Sequence, residues 1–147
     1  MHDLSKYSLV EFFCGMKYYS GTSSPISLER KLFGKSRAWN HHISHNKHHS
    51  EYWVNRSKDG NKTSFTEMPT VYWIEQVCDR IAACKVYLGS NYHSSAPYER
   101  FIHEKAAQRM GEFTAQNVAN ALILLSNEGE ETLINYLRNI LKGKKKK

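Results

Sequence analysis

Cysteine is scarce in this chain, and what there is does not pair. The three cysteines, Cys14, Cys78 and Cys84, are odd in number and no two have Cys-x-x-Cys spacing. That argues against a disulfide framework and for a reducing compartment. Long apolar runs are missing too. The longest strongly apolar stretch, Ala121-Leu122-Ile123-Leu124-Leu125, is far too short to span a bilayer. No basic start leads into an apolar signal core, and no period of twenty or more residues suggests a solenoid. The expectation is a cytoplasmic protein that does not enter a membrane.

What is present fits a globular chain. The 147 residues are 40% hydrophobic and 24% charged, which suggests one domain, expected over residues 1–141. Low complexity is confined to the last six residues, Lys142 to Lys147, expected as a disordered lysine-rich tail. The net charge is +7, and Lys144 to Lys147 supply four of those charges. The basicity therefore belongs largely to a tail. Such runs are usually solvated, and attraction of this one to nucleic acid or to a membrane surface is the alternative.

The periodicity is helical almost throughout. Ser8 followed by Glu11 fits a capping box that opens a helix running to Tyr19. A second helix is expected from Ser27 to about His45, with Gly34 as a weak point. Asn46-Lys47 reads as a turn, and residues 55–66 as an exposed loop. Met68-Pro69 starts a long helix to Leu88, proline being harmless in a first turn. Val71, Ile74, Cys78 and Ile81 define its buried stripe, with Cys78 and Cys84 as core residues. Gly89 suits a C-terminal cap. Further helices are expected at 98–110, 114–125 and 130–142, the last two separated by Gly129. The fold class is all-α, a compact helical bundle.

The densest chemical signal is Ala38 to Trp53. Five of the eight histidines fall within nine residues, at His41, His42, His45, His48 and His49. Neutral imidazole is the commonest metal ligand, although some of these rings could simply pack on Trp39, Tyr52 and Trp53. All five cannot face one ion, so two or three ligands are expected. Glu75 and Asp79 stand four apart on one helix face. They read either as an edge pair bonded to Arg80 or Lys85, or as a ligand, Asp79, beside a carboxylate, Glu75, that orients a histidine. His2-Asp3 adds two more donors. Lys6, one turn on, is able to meet a phosphate oxygen.

His-Asp-Leu-Ser-Lys at 2–6 resembles the HDxGK signature of the HD-domain metal-dependent phosphohydrolase superfamily. That resemblance implies a helical core presenting His2-Asp3, histidines of the 41–49 cluster and Asp79 to a divalent metal. A closer likeness is to an uncharacterised bacterial and phage family of unknown function. Its motifs are matched by His2 to Phe12, by Ala38 to Trp53, and by Glu67-Met68-Pro69 with Tyr72, Glu75 and Asp79. The likeness covers about the first 90 residues, and those beyond Tyr98 match loosely. Members of both families carry a helix ahead of the His-Asp pair with an earlier histidine ligand. This sequence starts one residue before the pair, a departure expected to bear on activity more than on fold.

Together these readings predict metal-dependent hydrolysis of a nucleotide or other small phosphoester. The expected ligands are His2, Asp3, His42, His48, His49 and Asp79, around Mn, Fe, Co, Zn or Ni. Asp3 and Lys6 are the expected catalytic pair. Lys6 and Lys47 would meet the phosphate, while His41, His45 and Glu75 would support the ligands. Two other readings stand beside this one: an inactive metal-stabilised helical domain, and a nucleic-acid-binding module. A homo-oligomer is compatible with all three.

Overall fold

The architecture, taken from a computed structural model, describes residues 3–21, 23–58, 60 and 62–144. His2 lies outside the described residues. Asp3 leads into a 3-10 turn, Leu4–Tyr7, and helix α1 (Leu9–Tyr18) follows. The Glu11 amide donates to the Ser8 hydroxyl at 3.4 Å. The expected capping box closes on that side only. The Ser8 amide donates to the Ser5 carbonyl instead, and the Glu11 carboxylate crosses to another helix.

The single helix expected from Ser27 to His45 is two, α2 (Pro25–Phe33) and α3 (Arg37–His45). Gly34 stands between them at φ 69°, a left-handed conformation that costs other residues energy. Ser36 then caps α3, its hydroxyl accepting the Trp39 amide at 2.9 Å. After Asn46 the chain turns and forms a 3-10 helix, Ser50–Trp53.

The expected loop at 55–66 contains a small antiparallel hairpin. β1 (Val54–Arg56) pairs with β2 (Thr63–Phe65), Val54 facing Phe65 and Arg56 facing Thr63. Three-residue strands are too short to leave an alternating pattern.

Helix α4 (Thr70–Leu88) begins just after Pro69 and ends at Gly89. Its buried side is a correction to the expected stripe. Thr70, Trp73, Ile74, Val77 and Cys84 are buried, whereas Val71 and Cys78 are exposed. The true stripe steps 70, 73, 74, 77, 81, 84. Thr70 at its start disguises it, and Cys78 supplies a false apolar position one residue out of phase. Cys84 is in the interior, as expected.

Helix α5 (Ala96–His103) is shorter than the expected 98–110 segment, and a 3-10 turn, Ala106–Arg109, follows it. Helix α6 (Glu112–Lys144) contains both remaining expected helices and leaves helical geometry at Gly129, with φ 83°. It takes in Lys142 to Lys144, part of the expected tail, while residues 145–147 lie outside the described ones. Val118, Ala121, Leu122, Leu125, Leu133 and Leu137 of α6 pack on Trp73, Ile74 and Val77 of α4 and on Phe101 of α5.

One polar joint locks this core. The Glu67 carboxylate accepts the Phe113 amide at 3.1 Å, the Thr114 amide at 2.7 Å and the Thr114 hydroxyl at 2.6 Å. The Thr114 oxygen in turn accepts the Met68 amide at 2.8 Å. Glu67 thus caps the N-terminus of α6 from a distant segment and complements its dipole. The Thr114 hydroxyl, foremost, holds the Glu67 carboxyl below its ordinary pKa. The molecule is an all-α bundle with one small hairpin, and no helix among the described residues is long and apolar enough to cross a membrane.

Candidate metal centre

Three segments bring the donors together: the turn at Asp3, the end of α3 with the residues after it, and the outer edge of α4. Asn46 closes α3. Its side-chain amide donates to the His42 carbonyl at 2.8 Å and to Ser5 Oγ at 2.6 Å, tying the Asp3 turn to the histidine segment. The chain then reverses and carries His48 and His49 back over His42. The His42 and His49 ring centres lie 4.7 Å apart, and those of His48 and His49 4.3 Å apart.

Two overlapping groups of donor atoms result. One nitrogen from each of His42, His48 and His49 lies within 4.8 Å of the others. Oxygens of Asp3 and Asp79 and a nitrogen of His48 form the second group at the same spacing. Asp3 Oδ1 is 3.6 Å from His48 Nε2 and 3.8 Å from His42 Nε2. Asp3, His42 and His48 are all buried. These buried His and Asp groups could hold a metal ion.

The electrostatics fit that use. Burial, chiefly, and then the neighbouring His48 and His42 push the His49 pKa down to about 3. His49 is therefore neutral at physiological pH, with a lone pair to offer. Its Nε2 is buried and has no hydrogen-bond partner among the described residues. An unmet buried polar atom costs roughly 1–3 kcal/mol. Asp3 itself sits at φ 54°, the left-handed region that aspartate tolerates better than most residues. Its other oxygen, Oδ2, is 2.5 Å from Lys6 Nζ. Burial pulls the Lys6 pKa down, but the bond to Asp3 and the attraction of Asp3 and Asp79 leave it raised.

The sequence profile of a family described as "Family of unknown function (DUF5662)" matches residues 1–139. The chain belongs to that family. Neither a curated protein nor a solved structure matches it. The match to DUF5662 extends well past the first 90 residues over which a family likeness was expected, and takes in α5 and most of α6.

The remaining donors of this DUF5662 chain take varied places. His48 Nδ1 is 3.8 Å from Glu75 Oε1, so Glu75 stands behind a histidine of the cluster. His41 Nδ1 lies 2.7 Å from Glu11 Oε1. His45 faces solvent, its ring stacked on His41 at 4.1 Å and its Nδ1 donating to the His41 carbonyl at 2.8 Å. It is not brought to the donor groups. Neither is Lys47, whose ammonium lies over the rings of Tyr52 and Tyr72 at 5.8 and 5.7 Å. Trp39 packs on both His42 and His49, so rings that could donate to an ion also serve packing.

Glu11 is the residue the sequence reading missed. It is 5% exposed, and its Oε2 is 2.8 Å from His42 Nδ1. Burial pushes its pKa up, but hydrogen bonds from His41, Ser5 and His42 outweigh that and hold it below the ordinary value. The available signal was that Glu11 is the sole acid in α1, among apolar neighbours. Its plausible capping role concealed it.

Proposed function

We propose that this DUF5662 chain is a metal-dependent phosphohydrolase acting on a nucleotide or other small phosphoester. The observation that carries the reading is the pair of overlapping donor groups, His42, His48 and His49 with Asp3, His48 and Asp79, mostly buried and next to the Lys6 ammonium. The order of a His-Asp pair, a histidine pair and a helical aspartate on an all-α frame supports an HD-domain-like arrangement. The buried Nε2 of His49, partnerless among the described residues, supports occupancy by an ion.

His42, His48, His49, Asp3 and Asp79 would hold the metal. With nitrogen and oxygen donors and no thiolate, Mn, Fe, Co, Zn and Ni all suit the set. When bound, such an ion polarises a phosphoryl oxygen and lowers the pKa of a water. Glu11 keeps the proton of His42 on Nδ1, so that Nε2 is a donor lone pair. Glu75, 3.8 Å from His48 Nδ1, would support His48 by its charge. Asp3 presents Oδ1 to the imidazoles and keeps Oδ2 on Lys6, so it would both hold the ion and orient a water beside it. Lys6 neutralises charge on the phosphate.

A second reading is a metal-stabilised domain without activity. A cavity of about 430 Å³ against α4 and α5 is lined by residues such as Tyr87, Leu88 and Arg100, and by none of the proposed ligands. The ion would then serve folding, since its binding adds directly to stability.

The deciding experiment is elemental analysis of the purified protein alongside a phosphatase screen with added Mn or Ni. Bound metal with hydrolysis that Asp3→Ala abolishes is the expected result. Full activity in Asp3→Ala, or no metal after reconstitution, sinks the proposal. Metal without hydrolysis transfers the assignment to the structural reading.

A further inference from the structure

Helix α1 is turned inside out. Leu9, Phe12, Phe13 and Met16 step by three, one and three residues and form one stripe, yet they are 72%, 49%, 59% and 67% exposed. The opposite side, with Glu11 and Cys14, is buried. A helix on the surface of a bundle ordinarily buries its apolar stripe and exposes its acids. Here the acid is inside because it holds two histidines, so the stripe faces out. Tyr19, 77% exposed, continues it.

We propose that this outer face of α1 is a dimer interface, onto which α1 of a second copy docks. The inference is independent of any bound metal. The area suits it: five large side chains at these exposures leave on the order of 700 Å², against about 800 Å² per partner in a stable interface. The largest apolar patch on a monomer is typically only about 300–600 Å². A stripe of this spacing is also self-complementary across a two-fold axis, because helix ridges pack into the grooves of an identical helix.

Charge gives the interface a signature. The first 37 residues hold three acids, and none is free on the surface. Asp3 and Glu11 are buried, and Glu29 accepts from the Ser36 hydroxyl and the Cys14 thiol. The bases Lys6, Lys17, Arg30, Lys31, Lys35 and Arg37 are all exposed. Two copies that meet through α1 therefore bring together two segments of like charge. Salt screens such repulsion, so the dimer tightens as ionic strength rises. Attachment to an anionic lipid surface or to nucleic acid would do the opposite.

Sedimentation equilibrium of the full chain at low and high salt tests this. A dimer at micromolar concentration that tightens with salt is the expected result. Phe13→Glu with Met16→Glu should loosen it about 100-fold, with unchanged helical circular dichroism. If that pair disturbs folding, Leu9→Lys and Tyr19→Lys at the patch edges provide the same comparison. A monomer at both salt levels overturns the proposal, and so does a dimer indifferent to these substitutions. A monomer that floats with phosphatidylglycerol vesicles overturns it as well, and assigns the face to lipid.

Discussion

Oε2 of Glu11 lies 2.8 Å from Nδ1 of His42, inside the protein and 31 residues away in sequence. This one contact connects α1 to the donor cluster. It also explains why a helix with an outward apolar stripe docks at all: its buried side is held by charge-assisted hydrogen bonds to α3. The same carboxylate reaches His41 through its other oxygen.

The first expectation is that Glu11→Gln weakens metal binding without preventing folding. Glutamine keeps the shape but loses the charge that fixes the His42 proton on Nδ1. Losing such a supporting carboxylate typically costs about 10–100-fold in affinity. Titration with cobalt, followed by its visible absorption, measures this directly. An unchanged affinity would mean that Glu11 serves only to hold α1 in place.

Much of this arrangement was legible in the sequence, and the failures have physical causes. The histidine segment could be singled out because five imidazoles in nine residues exceed what packing needs. Asp79 could be set beside it only through the family likeness, since its helix face showed no more than a pairing with Glu75. Glu11 could not, because a residue that satisfies a local capping pattern gives no sign of a partner across the fold. The phase of α4 was misread because it is squeezed between two environments. Trp73, Ile74 and Val77 face the core, while Glu75 and Asp79 face the donors. Thr70 and Gln76, both buried, break the apolar code, and the exposed Cys78 imitates it. The split between α2 and α3 was visible as a glycine, but not its left-handed backbone.

Gly111 is expected to tolerate no side chain. A Cβ built there would sit 2.5 Å from the Glu67 carboxylate atoms. That carboxylate cannot easily retreat, because three donors on Phe113 and Thr114 fix it. Gly111→Ala should therefore destabilise the fold by about 1–3 kcal/mol. Adding Glu67→Ala should give less than the summed losses, since the clash is then gone. Urea denaturation of the single and double variants is the measurement.

The same joint predicts a pH dependence. The folded Glu67 pKa lies below its ordinary 4.5. A carboxyl depressed on folding stabilises fully above its unfolded pKa and loses that contribution as pH falls through the folded value. Wild type should therefore exceed Glu67→Gln in melting temperature most clearly near neutrality. The gap should narrow below about pH 4.5 and close under strong acid. Thermal melts of both proteins across that range check the sign, and a gap that widens on acidification would contradict it.

Lys6 offers the sharpest separation of binding from turnover. It bonds to Asp3 but does not belong to either donor group. Its side chain is 59% exposed, so it can meet a substrate. If its charge serves the phosphate, Lys6→Ala should keep metal content near that of wild type while lowering kcat about 100–1000-fold, the usual cost of losing one well-placed electrostatic partner. Lys6→Arg should restore part of the loss, because it returns the charge with a different shape. His103, at the end of α5 and outside both donor groups, provides the comparison. His103→Ala should leave metal content and kcat near wild type. A Lys6→Ala protein that sheds its metal would show instead that Lys6 acts by holding Asp3 in place. Parallel metal analysis and kinetics on the three variants distinguish the two roles, since only a phosphate-facing charge lowers kcat in a fully loaded protein.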